Sequence, residues 1–170
     1  GRLNTREAVN HWKSKGLDFS KVFFDPPVDK AISRYHTDTQ VHPIAEQIDN
    51  QLIELCRPAL EDKTPVEFAY DIRNINRTTG TMLSHEIAKR YAADGLPDDT
   101  IKIHFLGAAG QSFGAWASKG MTLQVRGDAN DYFGKGLSGG RLIISPPAGS
   151  SFVFEENIIV GNVCFYGATD

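Results

Sequence analysis

Gly134-Lys135-Gly136-Leu137-Ser138-Gly139 reproduces the GxGxxG spacing with which a strand-to-helix turn receives a dinucleotide pyrophosphate. That chemistry needs a helix opening at the glycines, so that its N-terminus faces the phosphates. Here Gly140 and the strand-like run Leu142-Ile143-Ile144 follow, then Pro146-Pro147, and no helix can start where the ligand requires one. A phosphate loop of the GxxxxGK[ST] type fails too, because six residues separate Gly127 from Gly134 and Gly136 stands at the magnesium-binding Ser/Thr position. His85-Glu86-Ile87-Ala88-Lys89 opens like a zinc-protease helix but has Lys89 where the second imidazole must stand. Asp128-Ala129-Asn130-Asp131 places oxygen donors in a glycine turn, where they could ligate calcium. The distal Glu of an EF-hand is missing, however, and Asp and Asn side chains accept backbone N–H bonds in tight corners, which is the reading these residues favour. His36 and His42 have no ligand-spaced Cys or carboxylate and read as exposed or structural residues. No catalytic, cofactor-binding or metal-binding residue emerges.

The elements that carry these residues repeat. Gly107 recurs as Gly127, Ser112-Phe113-Gly114 as Tyr132-Phe133-Gly134, and Gly120 as Gly140, at a constant offset of twenty residues. Each second glycine leads into an alternating apolar run, first Met121 to Val125 and then Arg141 to Ser145. Shortened copies lie upstream at Asn74 to Gly80 and downstream at Gly161 to Gly167. Strand-like runs between glycine turns at a fixed period predict a mainly β solenoid whose coils share one core. The glycines Gly107, Gly114, Gly127, Gly134, Gly136, Gly139, Gly140, Gly161 and Gly167 are expected to be structural, holding corners that a Cβ would strain.

Residues 1–65 read as an irregular, helical connecting arm and 66–170 as the repeat domain. In the arm, Thr5 to Lys13 predicts a short helix capped by Thr5, with Gly16 just beyond its end. Ile44, Ile48, Leu52, Leu55 and Cys56 fall on one face of a second helix, with Asp49 and Glu54 pointing elsewhere and Pro58 as its boundary. Val66 to Ile72 and Ile101 to Phe105 predict strands, and Ile158 to Val160 a further one after an insertion from Pro146 to Glu156. Met82 to Tyr91 predicts one inserted helix, an excursion between coils ended at Gly95-Leu96-Pro97.

With 170 residues, 41% hydrophobic and 23% charged, the chain has room for one good core. A formal charge of −3 and no basic cluster argue against a nucleic-acid partner. No apolar run reaches the roughly 20 residues of a membrane span, and the first residues lack a signal peptide's apolar centre. Two distant cysteines, Cys56 and Cys164, read as buried thiols of a reducing, cytoplasmic compartment, with a bridge between them as the unsupported alternative. The chain starts without Met and stops just past a repeat's second glycine, where the clear repeats continue into a strand. A fragment of a longer polypeptide, truncated at its C-terminal coil, is the expectation.

Asp71-Ile72-Arg73-Asn74, Gly107 to Gly114, Gly127 to Gly140 and Gly161 to Thr169 stand in the order of a known pattern. Over residues 66–169 they make the chain closely resemble the C-terminal GXGXG domain of glutamate synthase large chains. The segment from Gly1-Arg2 resembles the connection to the synthase barrel. The resemblance implies a right-handed, single-stranded parallel β-helix. It also implies a parent enzyme that converts L-glutamine, 2-oxoglutarate and two electrons into two L-glutamates. By that likeness the parent carries FMN and a 3Fe-4S iron–sulfur cluster in its synthase domain and a cysteine nucleophile in its amidotransferase domain. Its electrons come from NADPH or ferredoxin. This segment would carry none of that machinery and would brace the amidotransferase and synthase domains, its expected partners, with a small FAD- and NADPH-bearing subunit as a further one. Two other classes share the coil pattern: an assembly subunit like that of formylmethanofuran dehydrogenase, and a polysaccharide-acting β-helix. The latter needs acidic and aromatic residues stacked on successive coils.

Overall fold

The computed structural model describes residues 11–170 and separates into two units, residues 1–41 and 42–170. The first unit has no buried side chain among its described residues and is organised by local hydrogen bonds. A short 3-10 turn, Trp12–Ser14, begins behind His11, whose Nδ1 accepts the Lys13 N–H at 3.2 Å. Asp18 and Asp29 each accept the backbone N–H two residues on, at 2.8 and 2.9 Å, the local bond that makes Asp a turn former. The expected Thr5 cap and the first part of that helix lie outside the described residues.

In the second unit, a 3-10 turn at Ile44–Glu46 leads into helices α1, Asp49–Leu55, and α2, Arg57–Asp62. The expected single helix is thus divided at Cys56, and Pro58 does not end it. Pro58 sits in the first turn of α2, where its missing N–H has no partner to lose. Strand β1, Val66–Ile72, is followed by helix α3, Thr81–Tyr91, and then by β2, Ile101–Ala109, β3, Met121–Ala129, and β4, Arg141–Ser145. The strands form one parallel sheet in chain order. Ile101 pairs with Met121 and Gly107 with Gly127, so the twenty-residue offset is the register between β2 and β3. Between β3 and β4 the register is one residue shorter, Leu123 facing Leu142.

Burial alternates along β2 and β3: Ile101, Ile103, Phe105, Met121, Leu123 and Val125 point into the core, while Lys102, His104, Thr122 and Gln124 face outward. Leu52, Cys56, Leu83 and Ile87 from the helices close the same core.

The mainly β, right-handed β-helix is overturned. One four-stranded parallel sheet carries helices in an α/β arrangement. The reason lies in the half of each repeat that follows the strand. Ser112, Gly114 and Trp116 have φ of 62°, 66° and 55°, and Tyr132, Gly134 and Gly136 repeat this at 61°, 67° and 62°. Left-handed residues at alternate positions turn a chain back on itself, so these halves are tight turns and supply no further sheet face. The expected helix from Met82 to Tyr91 is present as α3, between β1 and β2, with Leu83 and Ile87 wholly buried. Ile158 to Val160 is not a strand; Val160 makes a single bridge to Ala129. Among the described residues, no helix is long and apolar enough to cross a membrane.

Candidate functional site

The glycine turns between the strands hydrogen-bond to one another across repeats. Ser112 donates its backbone N–H to the Asp131 carbonyl at 2.9 Å and Trp116 to that of Lys135 at 2.8 Å, while Gly134 donates back to Phe113 at 2.9 Å. The last repeat joins the stack, with Tyr132 donating to Asn162 and Phe165 to Phe133. Inside runs an aromatic column. Phe113 meets Phe105 edge-on at 5.1 Å and stacks on Phe133 at 5.7 Å, and Phe133 meets Phe165 edge-on at 5.9 Å.

Close backbone approach explains the glycines best at two positions. A Cβ on Gly127 would lie 1.8 Å from the Gly107 carbonyl oxygen of the neighbouring strand. One on Gly134 would lie 2.7 Å from the Phe165 ring, at a φ of 67°. Gly107, Gly114, Gly136 and Gly139 also have positive φ and a close neighbour. Gly140 and Gly161 do not have positive φ, although a Cβ there would crowd Ala117 and Asp131. Gly167 has positive φ in open space.

An open cleft of about 430 Å³ is lined by Gln111, Asp128 to Asp131 and Ile158 to Gly161. Asp131 turns its Oδ1 to the backbone N–H of Asn162 at 2.7 Å, a corner bond between repeats. Asp128 and Asn130 are exposed. Among the described residues no three His, Cys, Asp or Glu side chains converge as a metal would require. At Gly134 to Gly139 the chain passes into β4 with no helix opening. Lys135 Nζ lies 5.5 Å from the centroids of both the Trp116 and Tyr132 rings, a cation–π contact, not a phosphate cradle. His85 is exposed on α3, Glu86 pairs with Arg90, and His36 and His42 are exposed. The surface stack of acids and aromatics that polysaccharide chemistry needs is not formed by this column, because Phe113 and Phe133 lie in the core.

Asp49 is the residue whose role sequence reasoning missed. Expected to point away from the apolar face, it is buried at the start of α1. Its carboxylate accepts N–H bonds from Gly80 at 2.9 Å, Met82 at 2.8 Å and Leu83 at 3.4 Å. It therefore caps α3 from another helix, where Gly80 has no side chain to do so. Burial raises the Asp49 carboxyl above the ordinary carboxylate range, and these three N–H groups oppose that rise. Thr81 and Ser84 then tie α3 to the turn stack through the carbonyls of Ala115, at 2.8 Å, and Trp116, at 2.6 Å. No local signal marks Asp49, since its partners lie about thirty residues away.

Cys56 and Cys164 are free. Cys56 is buried, which pushes its thiol up to about 12, whereas Cys164 is half-buried and donates to the Gly161 carbonyl at 3.3 Å. Two cysteines are fewer than the three thiolates that a 3Fe-4S cluster takes, so these residues do not fit that cluster.

The chain is 43% identical over 166 residues to the glutamate synthase [NADPH] large chain of Bacillus subtilis, covering 97% of this chain and 11% of that protein. It is 46% identical over 169 residues to the glutamate synthase [NADH] of Schizosaccharomyces pombe, covering 99% of this chain and 8% of that protein. With the ferredoxin-dependent glutamate synthase 2 of Synechocystis sp. the identity is 49% over 169 residues, 98% of this chain and 11% of that protein. The chain thus spans about a tenth of the length of these relatives. The model of the GXGXG motif family matches residues 49–170, the region of the stacked turns, and the chain belongs to that family.

Proposed function

We propose that this chain is the GXGXG domain of a glutamate synthase large polypeptide, which makes two L-glutamates from L-glutamine, 2-oxoglutarate and two electrons. In this reading it is a non-catalytic brace between the amidotransferase and synthase domains in the cytoplasm. FMN, the iron–sulfur cluster and the electron donor belong to other regions. One observation carries the reading: nearly the whole chain matches proteins named for three different electron donors, NADPH, NADH and ferredoxin. A segment common to all three serves something other than donor choice. The interlocked turns and the parallel sheet supply a stiff body for that purpose, with backbone bonds running from repeat to repeat. The glycines of the repeats are the residues we assign to that stiffness.

The test compares the full polypeptide with a Gly134→Val variant while glutamine hydrolysis and glutamate formation are measured together. The variant is expected to hydrolyse glutamine with lower yield of glutamate from 2-oxoglutarate. Turnover of glutamine by the 170-residue chain alone would overturn the reading.

A further inference from the structure

The link from α3 to β2 carries the only Asp–Gly pair of the sequence, Asp94-Gly95, in a strained turn. The turn begins at Ala92, whose φ of 49° a side chain rarely adopts, and ends at Gly95, with φ of 62° and ψ of −151°. Ala92, Ala93 and Asp94 form a single 3-10 turn and are exposed.

An Asp–Gly pair has a chemistry of its own. The backbone nitrogen of the following residue can attack the side-chain carbonyl carbon, and glycine puts no Cβ in the way. At several other aspartates the fold ties up that nitrogen. The N–H groups after Asp62, Asp99, Asp128 and Asp131 donate to the carbonyls of Ala59, Pro97, Ile159 and Asn162, at 2.9 to 3.2 Å. Among the described residues nothing accepts the Gly95 N–H, although Leu96 beside it donates to the Lys119 carbonyl at 3.0 Å. A nucleophile with no hydrogen bond to give up thus stands next to an exposed carboxyl. It does so at the end of a one-turn helix, an element that opens at little cost.

We propose that Asp94-Gly95 is a site of spontaneous isoaspartate formation, at which this chain ages while folded. The Gly95 nitrogen bonds to Asp94 Cγ as the Cγ–OH bond breaks, and the amide proton leaves with that hydroxyl as water. A second water then opens the succinimide ring. Cleavage of the N–Cγ bond restores aspartate. Cleavage between the nitrogen and the Asp94 main-chain carbonyl leaves isoaspartate, with the main chain now running through the side chain. No oxidant or cofactor takes part, and the mass of the chain returns to its starting value.

The packing around Leu96 makes this change costly. Leu96 is buried, and a Cβ on Gly120 would lie 2.4 Å from Leu96 Cβ, so the two segments have no slack between them. One added main-chain carbon at residue 94 displaces Leu96 from that seat and strains its bond to the Lys119 carbonyl.

The full polypeptide, stored for weeks at neutral pH and then mapped by mass spectrometry with fragmentation that tells isoaspartate from aspartate, tests this. Isoaspartate is expected at residue 94 ahead of every other aspartate. Asp94→Glu, whose ring would need an extra carbon, should abolish it and leave the urea midpoint of the fresh protein in place. The separated isoaspartyl form should unfold at lower urea than the fresh protein. Isoaspartate that forms at residue 94 in urea but not in the native protein overturns the proposal, because the fold would then protect the pair. Stored protein whose aspartates all isomerise alike, or not at all, overturns it equally. An isoaspartyl form as stable as the fresh protein overturns the coupling to Leu96.

Discussion

Asp49 shows how one buried carboxylate can decide a local structure. It replaces the missing cap of α3 and joins that helix to α1. Asp49→Ala should lower the unfolding free energy by about 1–2 kcal/mol, the ordinary cost of a lost cap, measured by urea titration. Burial raises the folded carboxyl above its unfolded value, so the native state binds this proton more tightly. The stability difference between the wild type and Asp49→Asn should therefore shift against the wild type as pH rises from about 4, the unfolded Asp value, through the raised folded value. If the wild type instead gains stability relative to Asp49→Asn over that rise in pH, the assignment is contradicted. Cys56 gives a second residue-scale test. With its thiol pushed up to about 12, it should resist a thiol reagent at mildly alkaline pH until the protein unfolds, while Cys164 reacts in the native state.

Helix α3 and the turn stack are the elements on which the fold depends. Leu83→Ala should cost about 2–5 kcal/mol, because the side chain is wholly buried in the core that the helices share with the sheet. Ser84→Ala removes bonds to the Trp116 carbonyl and Ser118, and should cost about 1 kcal/mol per bond lost. Gly127→Ala should be more damaging than Ser84→Ala, for its Cβ would overlap the Gly107 carbonyl. A melting temperature unchanged by that substitution would show that the two strands can part there.

Across the whole molecule, every apolar residue of the buried core among those described lies at or beyond Leu52. Removal of residues 1–41 should leave cooperative unfolding of the remainder intact, with the midpoint in urea shifted little. Loss of that transition would mean that the arm supports the core.

The repeat and its four strands were legible because alternation of apolar residues and recurrent glycines are local signals, and the twenty-residue offset returned as the β2–β3 register. Not every recurrent glycine stands at a turn: Gly107 and Gly127 lie within β2 and β3, where the close approach of the two strands leaves no room for a Cβ on Gly127. What ran in the turn halves was not legible: Ser112, Trp116, Tyr132, Val163 and Phe165 adopt left-handed backbone that their side chains do not announce. Their conformation is set by bonds to the next repeat, and it turns an expected solenoid into a sheet with packed helices. Asp49 was hidden for a related cause, because a carboxylate shows its function only when folding brings distant N–H groups to it. Composition and periodicity settle which residues can enter strands and turns; only the packed chain decides which polar groups are buried and what satisfies them.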